Sequence, residues 1–300
     1  MSRILVSGLI NLETTLKIEG FPLAYQPVSY PFFGVNSRVS GVGYNLTRAL
    51  TSLGHEARFV SLIGREQAGG LVGQALQTDA LNGSFVLDRL DETAQSVILY
   101  DGAGRRSIFT DLKNIQEQAY PPEKFDEAAA GCDLWALCNI NFSRPFLKLA
   151  RQRGARVATD LHTISDLDDP YNRDFWAAAD ILFMSDEHLP LPPAEWMRRI
   201  WARYSASIVV IGMGSQGALL GLREEERLVM VPAVTTRPVV NTIGAGDALF
   251  SAFLHGISCG FTPEEALRRA VVFASWKIGV RSAADGFLTA EELEALVQKV

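Results

Sequence analysis

The sequence predicts an α/β chain: a doubly wound, mostly parallel sheet flanked by helices, with a small β lid. Short β-rich runs alternate with amphipathic stretches, the pattern of parallel strands joined through helices. The 300 residues, 48% hydrophobic, also suffice to bury one large core. Two stretches break the alternation and suit antiparallel strands, and these predict the lid.

Taken in order, residues 4–6 are the first expected strand, 46–53 a helix and 57–63 a second strand. Residues 71–78 carry helical spacing. Residues 134–137, 156–159 and 181–184 read as successive buried strands, with helical segments such as 146–153 between them. The strand pattern returns at 206–211, and helices are expected over 247–256 and 263–277. Residues 12–39 hold little helix pattern, and 96–111 alternate around Gly102–Gly104, which suits a hairpin. Hairpin material inserted into an α/β core often covers a site. No repeat or Pro/Ser linker divides the chain, so one domain over 1–300 is expected, with lid segments near 12–39 and 96–111.

Composition narrows the function classes. The balance of 34 acidic against 28 basic residues, without a basic cluster, argues against nucleic acid as a partner. Cys132, Cys138 and Cys259 are few, odd in number and without metal-ligand spacing, so they read as reduced core thiols. His55, His162, His188 and His255 make no pair at helical spacing, and no zinc site is expected. The apolar start is too short for a signal sequence, and no apolar run reaches the roughly 18 residues of a spanning helix. A soluble, cytoplasmic protein without membrane contact is the expectation.

The most informative stretch is Asn241-Thr242-Ile243-Gly244-Ala245-Gly246-Asp247, which opens an apolar helix. Small residues at a helix N-terminus present free backbone N–H groups to an anion and let it approach closely. Asp247 puts a candidate general base in the same turn, the pairing that phosphoryl transfer to a hydroxyl needs.

The whole heptapeptide closely resembles the Asp-Thr-x-Gly-Ala-Gly-Asp signature of the ribokinase-like (PfkB) carbohydrate and nucleoside kinases. The resemblance implies that Asp247 is the catalytic base and that Gly244, Ala245 and Gly246 form the anion hole. It places Thr242 on the nucleotide side. Asn241 stands where the family has an Asp that helps build a monovalent-cation site, which puts potassium dependence in doubt.

Further motifs extend the likeness over nearly the whole chain. Asn11 and Glu13, read as ending the first strand, resemble the family's Asn-x-Asp, whose acid binds substrate hydroxyls. Gly41 and Asn45 fall in register with Gly-Gly-x-x-x-Asn, with Val42 in place of the second Gly. Gly64-Arg65-Glu66-Gln67-Ala68-Gly69 resembles a strand-to-helix turn, and Gly104-Arg105-Arg106 the tip of the lid hairpin. Gly214 and Gly217 match a loop beside the nucleotide, and residues 281–286 resemble the closing nucleotide-side loop. At Met184-Ser185-Asp186-Glu187-His188 the family has Asn-x-x-Glu, which supports magnesium. Here Ser185 and His188 take those places, so no metal ligand is assigned, and Asp186 and Glu187 are the candidates.

Gly212-Met213-Gly214-Ser215-Gln216-Gly217 also satisfies the dinucleotide fingerprint, but that motif must open a helix. The next residues, 218–222 and 228–231 around a charged turn, read instead as a hairpin. No P-loop motif occurs.

The resemblance therefore implies an ATP- and Mg2+-dependent kinase that phosphorylates a hydroxyl of a small sugar or related polyol. A homodimer through the lid is a further expectation. A nucleoside kinase stays open, with Tyr30, Phe32, Phe33 and Phe109 as candidates to hold a base. So does a sugar-phosphate acceptor met by Arg38, Arg105 or Arg106, and so does a non-catalytic binding protein of the same fold.

Overall fold

The structure, a computed structural model, describes residues 2–300. The chain opens with β1 (Arg3–Ser7), β2 (Asn11–Lys17), β3 (Val35–Ser40), α1 (Val42–Ser52), β4 (Glu56–Ile63), α2 (Gln67–Thr78) and β5 (Val86–Asp88). It continues with β6 (Gln95–Tyr100), β7 (Arg106–Asp111), α3 (Pro122–Ala129), β8 (Leu134–Leu137), α4 (Arg144–Arg153), β9 (Arg156–Thr163) and α5 (Arg173–Ala178). The last third holds β10 (Ile181–Ser185), α6 (Pro193–Arg203), β11 (Ile208–Gly212), β12 (Ala218–Leu222), β13 (Arg227–Val231), α7 (Ala245–Ser258), α8 (Pro263–Lys277) and α9 (Ala290–Val297).

A nine-stranded sheet in the order β13-β12-β11-β10-β9-β8-β1-β4-β5 forms the core. All its pairings are parallel except those of β12 and β13, the hairpin at one edge. From β1 the chain builds outward to β4 and β5, and later in the opposite direction from β8. The strand order thus reverses beside β1, and the crevice at the strand C-termini there is where such sheets bind ligands.

Alternation divides the core between the two faces. Ile4 and Val6 of β1 join the layer containing α1, α7 and α8, whereas Leu5 joins the layer containing α3 to α6. α7 is buried over most of its surface, because Phe250 and Phe253 pack on Phe183 at ring-centroid distances of 4.8 and 5.2 Å. Each such ring contributes about 1.5–3 kcal/mol on burial. A capping box between Thr262 and Glu265 starts α8, which lies against α7.

A second sheet, in the order β3-β2-β6-β7, comes from the two regions that break the α/β rhythm. Asn11, Glu13, Ser96, Arg38 and Arg106 share its inner face by register.

Three local readings need correction. Asn11 and Glu13 lie at the start of β2 in the small sheet, not at the end of β1. α1 begins at Val42, so Gly43 and Asn45 are within the helix rather than before it. Gly41, at φ 108°, turns the chain there, and a Cβ on it would lie 2.6 Å from the Leu9 carbonyl oxygen. Finally, α3, α5, α6 and α9 do not stand out in the sequence pattern, and two of them start at the second residue of Pro-Pro pairs that look like loop.

Two histidines that form no pair along the sequence do pair in space, and Cys259 beside them is exposed rather than in the core. His55 and His255 meet with nitrogens 2.8 Å apart, and Cys259 lies one helical turn beyond His255. The spacing is nonetheless that of a shared proton. Two zinc–nitrogen bonds of about 2.0–2.1 Å at a tetrahedral angle hold the nitrogens roughly 3.3 Å apart. The Cys259 sulfur is nearly equidistant from both His255 ring nitrogens, at 3.8 and 3.9 Å, which sets it against the ring rather than on a lone pair. Among the described residues, no helix is long and apolar enough to cross a membrane.

Candidate active site

The site forms where the N-terminus of α7 meets the strand ends beside β1. Gly244 caps the helix at φ 76°, and a Cβ there would come within 2.9 Å of the Ala283 carbonyl oxygen. Only glycine lets the turn lie that close to the 281–286 loop. The Ala245 N–H is already bound to the Thr242 carbonyl at 3.2 Å. No backbone bond inside the protein takes up the Gly246 and Asp247 N–H groups, as expected in the first turn of a helix. A Cβ on Gly246 would meet nothing within 4 Å, so the turn is open on that side.

Asp247 is half-buried, and Asn45 of α1 donates to its carboxylate at 2.7 Å. Asn45 in turn accepts from the Ser40 hydroxyl at 3.4 Å. Burial pushes the Asp247 carboxyl above its ordinary value; the Asn45 bond and His162 oppose this, and Asp160 reinforces it. A carboxylate held in this way is both aimed and made more basic, which suits proton abstraction.

Asn11 and Glu13 face the turn from the small sheet. Asn11 is buried, donates to Ser96 at 2.9 Å, and leaves its carbonyl oxygen without a partner. Glu13 is also buried, and its carboxyl is pushed up to about 7, by burial first; Ser40 and Lys277 pull it down, while Asp247 raises it. The tip of the small sheet closes against the turn. Thr242 donates to the Gly104 carbonyl at 3.3 Å and accepts from Arg106 at 3.4 Å. Arg106 also pairs with Glu187 at 3.5 Å.

The structure brings Asn11, Glu13, Gly41, Asn45, Thr242 and Asp247 into one neighbourhood. Glu187 joins through Arg106, and the half-buried Asp186 precedes it, its carboxyl raised by burial and by Glu187. His188 is exposed at φ 70°. Gly214 and Gly217 flank a short 3-10 turn after β11. A Cβ on Gly217 would run into the Val231 carbonyl oxygen, so packing on the hairpin is enough to require glycine there. β12 returns antiparallel to β11, which removes the helix that a dinucleotide fingerprint needs.

Some candidates fall elsewhere. Phe109 pairs with Val97 on the outer face of the small sheet, away from Glu13, and cannot line the cleft. Tyr30, Phe32 and Phe33 are exposed on the long loop between β2 and β3. Arg105 folds back onto Asp101 at 2.7 Å and Arg38 pairs with Asp285 at 3.4 Å. With Arg106 on Glu187, each arginine of the small sheet that was a candidate for a substrate phosphate already faces an acid.

Sequence reasoning missed Asp160 and His162 at the end of β9 and Lys277 at the end of α8. A polar residue closing an otherwise buried strand was the available signal for Asp160. Lys277 gave one too, as a lone cation in Phe273-Ala274-Ser275-Trp276-Lys277-Ile278.

A site of this kind, on a ribokinase-like fold, defines a phosphotransferase acting on a hydroxyl. The pfkB family carbohydrate kinase model matches residues 1–290, and the chain belongs to that family of ATP-dependent carbohydrate kinases. It is 27% identical over 275 residues to an acarbose 7(IV)-phosphotransferase of Actinoplanes sp., covering 91% of each chain. It is 25% identical over 273 residues to a fructokinase of Klebsiella pneumoniae, covering 83% of this chain and 87% of the relative. Among solved structures, the microbiome-derived acarbose kinase Mak1 superposes with a TM-score of 0.87 at 25% identity, covering 99% of both chains.

Proposed function

We propose that the chain works as one catalytic domain, transferring the terminal phosphoryl of ATP to a hydroxyl of a small, unphosphorylated sugar or sugar-like polyol. The observation that carries this reading is the Asn45–Asp247 contact at the open N-terminus of α7, with Glu13 opposite. Asp247 takes the hydroxyl proton, and the free amides of the 244–247 turn receive the charge of the transferred group. Asn11 offers its unpartnered oxygen, and Glu13 its carboxylate, to acceptor hydroxyls, while Gly41 and Asn45 form the wall behind them. The small sheet excludes water that would otherwise hydrolyse the nucleotide.

The nucleotide side is assigned to Thr242, Gly214, Gly217 and the 281–286 loop. Mg2+ suits the oxygen donors of Asp186 and Glu187, since hard cations take oxygen ligands and leave much of their coordination to phosphates and water. When bound, Mg2+ neutralises phosphate charge. The pairing of Arg38, Arg105 and Arg106 with acids favours an uncharged acceptor over a sugar phosphate. The exposed outer face of the small sheet, with Val35, Val97 and Phe109, suits a homodimer through the lid. A soluble, cytoplasmic setting agrees with reduced cysteines and the absence of a spanning helix among the described residues.

ATP consumption across ribose, fructose, acarbose, sugar phosphates and nucleosides tests the reading. Saturable, acceptor-dependent turnover with a neutral sugar or sugar-like acceptor is expected. Turnover only with nucleosides or sugar phosphates, or with nothing in the panel, would overturn it.

A further inference from the structure

Lys277 is fully buried at the C-terminal end of α8, and its surroundings are unusual for a buried cation. Its ammonium donates to two backbone carbonyls, Ser282 at 2.6 Å and Ile243 at 3.3 Å, and bonds to no carboxylate. A buried ammonium is costly unless it is paired and hydrogen-bonded. Space-filling alone would be met by a methionine of similar length.

We propose that the Lys277 ammonium is a tethered cation that shapes the anion-binding turn, a positioning residue doing the work of a bound monovalent ion. The inference rests on the kinase reading above and deepens it.

The two carbonyls lie on either side of the contact between the turn and the loop. Ile243 immediately precedes the cap Gly244, and Ser282 immediately precedes Ala283, against which Gly244 packs. Their oxygens are both negative ends of dipoles, and converging them without a cation between is unfavourable. The ammonium bridges them and so clamps the turn to the 281–286 loop. Peptide geometry carries the effect further. The C=O of Ile243 and the N–H of Gly244 share one trans plane and point in opposite directions. Drawing the carbonyl inward to Lys277 therefore aims the Gly244 N–H outward.

Asn241 completes the clamp without adding charge. It donates to the Arg281 carbonyl at 2.8 Å and accepts from the Ile243 N–H at 3.0 Å. A neutral amide at 241 leaves the positive charge of Lys277 unquenched by contact, so its field extends to Asp247, Asp285 and Glu13. Burial lowers the ammonium to about 8, with those three acids opposing the fall and Arg237 adding to it. The group is thus still largely protonated at neutral pH.

Three variants and one ion test this. Lys277→Met should keep the melting temperature near that of the unmodified protein and lower kcat about 10–100-fold, below the 10²–10³ of removing a whole oxyanion donor. The acceptor KM should stay within about threefold, under roughly 0.7 kcal/mol. Lys277→Ala, which opens room for an ion, should regain turnover when choline is replaced by potassium or ammonium at fixed ionic strength. The unmodified protein should not respond, and Lys277→Arg should retain more turnover than Lys277→Met. Independently of activity, crystals of Lys277→Ala grown in rubidium should show an anomalous peak between the Ile243 and Ser282 carbonyls, absent in the unmodified protein.

A folded Lys277→Met with unmodified kcat would overturn the proposal, as would a folded Lys277→Ala with neither ion rescue nor rubidium. Should Lys277→Ala not fold, the kcat of Lys277→Met decides alone. An unmodified protein that phosphorylates no acceptor breaks the kinase reading instead, and the rubidium peak still decides the role of Lys277.

Discussion

The 241–247 turn and the small sheet face each other across the cleft, but they are held in different ways. The turn is stitched from behind by two buried bonds, Lys277 to Ile243 and Ser282, and by two part-buried ones, Asn241 to Arg281 and Asn45 to Asp247. The small sheet meets the turn at its tip, through Thr242, Gly104 and the partly exposed pair Arg106–Glu187. Exposed ion pairs contribute little, about 0–1 kcal/mol, whereas buried networks are costly to break. The contrast separates chemistry from recognition. In the proposed reading, the wall that acts on the phosphoryl group is held firmly, and the wall that meets the acceptor is tied to it more lightly.

Substitutions on the fixed wall should therefore alter kcat, and those on the small sheet the acceptor KM. The largest effect belongs to Asp247→Asn, expected to fold and bind nucleotide while losing turnover by roughly 10²–10⁴-fold. Near-normal turnover in that variant would remove the base from the fixed wall and end the contrast.

Next comes Glu13→Ala, which should raise the acceptor KM by about 10–100-fold, as expected for charge-assisted bonds of about 1.5–3 kcal/mol. The KM for ATP should hardly change. Equal effects on both substrates would show that the small sheet also serves the nucleotide.

Glu13 also sharpens the comparison through pH. Its carboxyl is raised from 4.5 to about 7, so the folded protein holds the proton more tightly than the unfolded chain. The associated stability is fully present below about 4.5 and is lost as pH rises through about 7, at most about 3 kcal/mol. The ligand-free melting temperature should fall over that window by the share of Glu13, and Glu13→Gln should flatten the fall. An unchanged profile in Glu13→Gln would mean that the carboxyl is well solvated.

The smallest effect concerns potassium. With Asn241 neutral, exchanging sodium, potassium and a bulky organic cation should change turnover less than about threefold, or roughly 0.7 kcal/mol. Strong potassium activation of the unmodified protein would show that the fixed wall is incomplete without an added ion.

The parallel core was legible because its strands are buried on both faces and read as apolar runs, as in Ile181–Ser185 and Ile208–Gly212. The turn at Gly244 was legible because helix N-termini announce themselves through small residues. Long-range pairing was not legible. Nothing local in Asn45 says that its amide lies on a carboxylate of α7, and nothing in Lys277 names two carbonyls as its acceptors. The alternation of 96–111 marked the hairpin, but the side that Phe109 faces is set only by its register with Val97.

The bond between Asn45 and Asp247 joins residues 202 positions apart, and the one between Arg48 and Asp285 joins residues 237 apart. The proposed base and the amide that aims it thus come from distant parts of the chain, and the loop-closure entropy of their meeting is overcome only once the sheet between them is assembled. A chain still emerging from the ribosome, complete through β11 but lacking α7 and α8, would have the proposed wall for the acceptor without Asp247, the proposed base. Catalytic competence arrives last and all at once. The onset of activity during refolding therefore reports docking of the C-terminal helices rather than formation of the sheet.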